Sequence, residues 1–179
     1  MNIYIGIDPG KTGAVALLTD DPDRLDVWQY PGDIKSACTL LQDGIIGLSP
    51  NLEEADRNVF ACLEKVHAMP MQGVSSSFNF GVSYGMWQGV LAVMGIPYIF
   101  VTPHAWQKVT FDSQCVIFKD AKLSGSSKIK RKRDTKAMSL SVARRLFPDV
   151  DLHRKADDGK ADALNLARYA KMMVKKGIL

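Results

Sequence analysis

Apolar and polar positions alternate from the first residues of the chain. In residues 2–8, Ile3, Ile5 and Ile7 recur with period two and the run ends in Pro9-Gly10, which predicts a strand closed by a turn. Residues 13–19 (GAVALLT) form a second apolar run joined by a short Gly-containing link, so the two predict a hairpin, and residues 25–30 a third strand of the same meander. The pattern then changes to helical spacing. Ile34, Ala37, Cys38, Leu41 and Ile45 predict a helix over 33–48 with Asp33 as its N-cap. Residues 58–66 (NVFACLEKV) predict a strand, 69–80 a Ser/Gly/Phe/Asn loop, and 82–94 a helix stopped by Gly95 and Pro97. A short buried strand is expected at 98–101, a short helix from Pro103 through Lys108, an amphipathic helix at 135–147, and a last helix at about 157–175. Residues 111–127 show no period and run into the basic segment KIKRKRDTK. A meander followed by βαβ units predicts one α/β domain, a mixed five-stranded sheet with helices on both faces.

At 179 residues and 46% apolar content, the chain has the size and core material of a single domain. The longest apolar run, 89–101, contains Pro97 and is too short to span a bilayer, so no membrane is expected. The N-terminus lacks the basic and apolar regions of a secretory signal. Cys38, Cys62 and Cys115 show neither a disulfide framework nor zinc-ligand spacing, which points to a reducing cytoplasm. The net charge of +4 hides a segregation. Residues 20–56 carry nine acids against two bases, whereas 119–136 carry eight bases against two acids. A polyanion is the expected partner of the second stretch, with a solvated loop as the alternative.

The turn after the first strand, Gly6-Ile7-Asp8-Pro9-Gly10-Lys11-Thr12, has a phosphate-loop look, but three residues rather than four separate its glycines and a strand follows instead of a helix. What remains is Asp8, a carboxylate at a strand end, which could also simply cap the turn. Glu64 ends its own apolar strand in the same way, or pairs with Lys65 on the surface. In KADDGKADALNLA, Asp158 and Asp162 are four apart and share a helix face. Helix-dipole complementation accounts for Asp157 and Asp158 but less well for Asp162, a full turn inside; Asp157 points elsewhere and is the expected N-cap. Two strand-end acids and a helix-borne pair could converge, and a cluster of four carboxylates requires divalent cations, with oxygen ligands selecting Mg²⁺ or Mn²⁺. Two such ions would support phosphodiester hydrolysis.

GIDPGKTGAVAL, CLEKV and DDGKADALNLA, in this order and spacing, resemble the three acidic motifs of RuvC-type Holliday junction resolvases, members of the RNase H-like nuclease superfamily. FNFGVSYGMWQGVLAVMGIPYIFVTPHAWQKV is similar to that family's middle region, above all in its phage and organellar branches. The resemblance implies a Mg²⁺-dependent endonuclease of RNase H-like fold, with Mn²⁺ able to substitute and no organic cofactor. Its partner would be branched DNA, its state a homodimer, and its location the cytoplasm, that of the host if phage-encoded. Asp8, Glu64 and Asp162 match the family's metal-binding acids. The fourth position is filled here by Gly159, so Asp158 is the choice and Asp157 the fallback. Lys136, and Lys108 one residue out of register, fall nearest the family's basic residues at the scissile phosphate. Phe78 and Phe80 lie in the loop that would reach the junction core, where they would wedge against unpaired bases. Lys128, Lys130, Arg131, Lys132 and Arg133 would contact phosphates from a segment, about 119–136, expected to be mobile until DNA orders it. Rival readings are a nuclease of the same fold acting on flaps, forks or RNA–DNA hybrids, a one-lobed relative of actin-like phosphotransferases, and a branched-DNA-binding protein without catalysis.

Overall fold

The computed structural model describes residues 1–65, 73–111, 115–122 and 129–179. Strands β1 (Asn2–Asp8), β2 (Ala14–Thr19) and β3 (Leu25–Gln29) form the antiparallel meander, and β4 (Asn58–Glu64) and β5 (Tyr98–Val101) add in parallel, giving the order β3-β2-β1-β4-β5. The expected mixed five-stranded sheet is therefore present. Because β1 and β2 are buried on both sides, their residues divide by parity. Ile3, Ile5, Ile7, Val15 and Leu17 face helices α1 (Ile34–Leu48) and α2 (Val74–Val93), with Leu41, Trp87 and Leu91 completing that core. Tyr4, Ala14, Ala16 and Leu18 face the opposite layer of α3 (Pro103–Thr110), α4 (Thr135–Leu146) and α5 (Asp158–Lys175). Alanines on this second face let helices approach closely, which matters for what α5 carries.

The caps follow the sequence. Asp33 accepts from the Ser36 amide at 2.9 Å at the start of α1, and Thr102 accepts from the Ala105 amide before Pro103 opens α3. Such a side-chain cap contributes about 1 kcal/mol. No described helix is long and apolar enough to cross a membrane.

Two expectations are corrected. Helix α2 begins at Val74, so most of the described part of the 69–80 segment is helix rather than loop. Ser, Asn and Gly oppose a helix by only about 1 kcal/mol or less each, and a helix already nucleated downstream propagates through them. In the basic segment, where the sequence predicts no strand, β6 (Phe118–Lys122) and β7 (Ile129–Arg133) pair as a two-stranded antiparallel ribbon. Neither strand has an apolar face against a core, so no period-two hydrophobic signal betrays it. Residues 66–72, including His67 and the first residues of the expected loop, and Lys128, one of the expected phosphate contacts, lie outside the described residues.

Candidate metal and phosphodiester site

The site is assembled from three elements. The parallel register of β1 and β4 pairs Ile7 with Leu63, so the next residues, Asp8 and Glu64, stand side by side at the carboxyl ends of the two central strands. Helix α5 then lies hard against β1. A Cβ on Gly6 would stand 2.1 Å from the Ala163 carbonyl oxygen, and one on Gly159 would stand 2.2 Å from that of Thr12. Only glycine fits at these two contacts. They seat the first turns of α5, with Asp158 and Asp162 one turn apart, against the β1–β2 turn that follows Asp8.

Each acid has a distinct setting. Asp8 accepts from the Gly10 amide at 3.1 Å, so the turn-capping reading also holds, and the same contact orients the carboxylate. Burial raises its pKa above the usual carboxylate value, Asp158 adds to this, and Gly10 and Lys136 oppose it. Glu64 accepts from the indole Nε1 of Trp106 at 2.7 Å. Burial, reinforced by the Asp8 charge, pushes Glu64 up to about 7 despite that hydrogen bond. Asp162 is held well above the ordinary range, first by burial and then by repulsion from Asp8, Glu64 and Asp158, while a hydrogen bond with the Ser139 side chain works the other way. The Lys136 ammonium is ion-paired to Asp158, and that contact, with Asp162 and Asp8 nearby, raises its pKa. The four acids and Lys136 thus form one electrostatically coupled cluster.

Asp157 has a different partner. Its carboxylate accepts from the Arg154 amide at 2.8 Å and the guanidinium at 2.9 Å, is fully buried, and is held below its usual pKa by that pair. It occupies the N-cap position of α5 but makes no side-chain capping bond there. Two residues went unread in the sequence as parts of the site. Trp106 is fully buried in the core, and a buried indole N–H wants an acceptor, which is the signal the sequence offers. Ser139 carried no such signal.

Among the described residues, no three His, Cys, Asp or Glu side chains are drawn closely enough together to close on an ion. The chemistry of the set is nonetheless that of a divalent-cation site: carboxylate oxygens only, recessed, repelling one another, with one lysine as counter-charge.

The remaining predicted residues are more dispersed. Lys108 is exposed in the last turn of α3, and no described contact joins it to the acids. Arg131, Lys132 and Arg133 are exposed on β7, which also contains Lys130. Phe78 is 70% exposed whereas Phe80 is half-buried. Two apart on a helix, they point about 200° from one another.

No described protein family matches the sequence, and no curated protein is significantly similar to it. Solved structures do match. RuvC of T. thermophilus in complex with a Holliday junction substrate superposes with a TM-score of 0.55 at 13% identity, covering 99% of this chain and 98% of that one. A second Thermus thermophilus RuvC structure gives 0.51 at 14% identity over 98% and 97% of the two chains. At that identity the likeness establishes the fold: the chain has the RuvC-like, RNase H-type α/β architecture.

Proposed function

We propose that this chain is a Mg²⁺-dependent, structure-specific endodeoxyribonuclease of a single RNase H-like domain that cleaves four-way DNA junctions, a Holliday junction resolvase acting on DNA inside the cell. The observation that carries the reading is the convergence of Asp8, Glu64, Asp158 and Asp162 at the carboxyl ends of adjacent strands, beside one lysine. Full-length likeness to a RuvC bound to its junction supports the substrate class. The middle-region resemblance is the ground for placing the chain nearest the phage and organellar branches.

In this reading the four acids hold the divalent ions, with Mn²⁺ able to replace Mg²⁺. The bound metal supplies an activated water and charge stabilisation at the leaving oxygen. The protein supplies orientation. Trp106 fixes Glu64 through one oxygen and Gly10 fixes Asp8. Lys136, paired with Asp158, is exposed enough at 67% of its side chain to turn toward a scissile phosphate. Lys108, Lys128, Lys130, Arg131, Lys132 and Arg133 give charge for the backbone of the arms, and Phe78, exposed at the start of α2, meets bases at the branch.

Cutting two opposed strands of a two-fold junction calls for a two-fold protein. The outer side of α2 suits this role. Val74, Val82 and Val93 are exposed along one row, and a Cβ on Gly85 or Gly89 would meet nothing within 4 Å, so these glycines face away from the sheet. A groove of about 770 Å³ runs beside the row between α1 and α2.

The test is cleavage of a labelled four-way junction with Mg²⁺, beside matched duplex, flap, fork and RNA–DNA hybrid substrates. Paired symmetric nicks confined to the junction are expected. Equal cutting of flaps, forks or hybrids would reduce the activity to that of a general nuclease of this fold. Binding with no cutting in either Mg²⁺ or Mn²⁺ would leave a non-catalytic DNA-binding protein.

A further inference from the structure

The β6–β7 ribbon stands apart from the rest of the fold. It forms a sheet of its own, and none of its described side chains belongs to either apolar core. A lone two-stranded hairpin is marginal in water. Residues directly paired across an antiparallel ribbon share a face, and the register pairs Lys119 with Lys132, a like-charge juxtaposition that the Asp134 carboxylate beside Lys119 offsets only in part. The opposite face pairs Phe118 with Arg133 and Asp120 with Arg131. There the Arg131 guanidinium lies 4.9 Å over the Phe118 ring, while Phe118 and Ile129 remain 47% and 63% exposed. Lysine on one face, with two arginines, an aromatic ring and an aliphatic side chain outweighing the single acid Asp120 on the other, is an arrangement that an anionic, partly apolar partner would complete.

The base of the ribbon is fixed where that partner would matter. The Asp134 amide donates to the Ile117 carbonyl at 2.8 Å, its carboxylate takes the Lys119 ammonium at 3.0 Å, and its side chain caps α4. Two residues on is Lys136, at the carboxylate cluster. The ribbon is therefore anchored beside the site rather than tethered through a slack linker.

We infer that the β6–β7 ribbon inserts into the major groove of one duplex arm of the DNA substrate, with Arg131 and Arg133 toward base edges and Lys119 and Lys132 toward phosphates. The inference rests on the proposed action on branched DNA and names how an arm is held. Strands about 4.8 Å apart fit a B-form major groove about 12 Å wide, which admits a two-stranded ribbon. An A-form RNA duplex presents a groove too deep and narrow for it. Arginine is the side chain that binds guanine O6 and N7 in that groove.

The experiment is dimethyl sulfate footprinting of guanine N7 on a four-way junction with arms carrying spaced G·C pairs, in Ca²⁺ to hold the complex uncut. It is paired with affinity measurements across salt concentrations on the same junction, a linear DNA duplex and the matching RNA duplex. Wild type should protect N7 positions in an arm and bind RNA duplex more weakly than DNA. The double variant Arg131→Ala/Arg133→Ala should lose the protection and bind the junction at least about tenfold more weakly. Lys132→Glu, on the phosphate-facing side, should make the salt slope shallower by about 0.9, and serves if the double variant fails to fold by circular dichroism. Unprotected N7 in wild type, equal binding of RNA and DNA duplexes, or unchanged affinity and slope in the folded variants would overturn the inference. Wild-type cleavage in Mg²⁺ is scored separately. Protection without cutting would sink the nuclease and keep the ribbon, and cutting with unprotected arms would do the reverse.

Discussion

At the scale of single residues, Asp8, Glu64 and Asp162 are acids held where they resist ionising. Glu64, pushed up to about 7, binds a proton in the folded state over a range where the unfolded chain, with its ordinary carboxylate near 4.5, has released it. The folded state therefore binds more protons between these values, and stability is full below about 4.5 and declines as pH rises toward 7. Asp8 and Asp162 shift in the same direction and add to the effect. The metal-free protein should melt lower at pH 8 than at pH 5, Mg²⁺ should restore the loss, and Glu64→Gln should flatten the dependence; each 1 kcal/mol is worth about 2–4 °C in a chain of this size. Cleavage should rise with pH through about 7 as the ligating form is populated. Asp8→Asn removes one of the repelling charges. It should cut kcat by roughly 10³-fold, the scale of losing one preorganised electrostatic element, while junction binding stays intact or tightens; loss of both in a filter-binding and cleavage comparison would make Asp8 a folding residue. Trp106→Phe keeps the buried ring and deletes the hydrogen bond to Glu64. Metal affinity, read from the Mg²⁺ dependence of cleavage, should fall about 10–100-fold. The acids themselves were legible as DPG, CLEKV and DDGKAD. Their partners were not, because Trp106 lies 42 residues from Glu64 and no local spacing announces such a pairing.

Among the elements, α5 is the one that makes the others a site. Its contact with β1 depends on Gly6 and Gly159, where a methyl group would meet backbone. Gly159→Ala must push α5 off the β1–β2 turn, costing about 1–3 kcal/mol and moving Asp158 and Asp162 away from Asp8. Activity should thus fall further than the melting temperature accounts for. Gly47→Ala, on an exposed helical turn with nothing within 4 Å, is the control; it should stabilise by about 0.5–1 kcal/mol and leave cleavage unchanged. Elements packed on a core on at least one side were readable, because burial writes period two or 3.6 into the chain. The Ile3-Ile5-Ile7 alternation and the 34–45 helical row are examples. The β6–β7 ribbon and the first turns of α2 lack that imprint. One is mostly charged, with its apolar residues exposed, and the other is exposed and rich in Ser and Asn.

Taken as a whole molecule, the chain carries two unlike surfaces. One is the basic ribbon beside the carboxylate cluster, and the other is the apolar row of α2 with its open glycines. If the row is the two-fold contact, wild type should sediment as a dimer and Val82→Asp/Val93→Asp as a folded monomer making single, unpaired nicks; a monomeric wild type that still makes paired nicks would reject that contact. The order of the elements has a further consequence for synthesis. Asp8 and Glu64 are translated early and the ribbon later, and Asp158 and Asp162 follow both on α5, the helix that also covers the Tyr4, Ala16 and Leu18 face of the sheet. A nascent chain therefore cannot close its second core until α5 has been made, and a product ending before Asp158 should be unfolded by circular dichroism and should neither bind nor cut a junction.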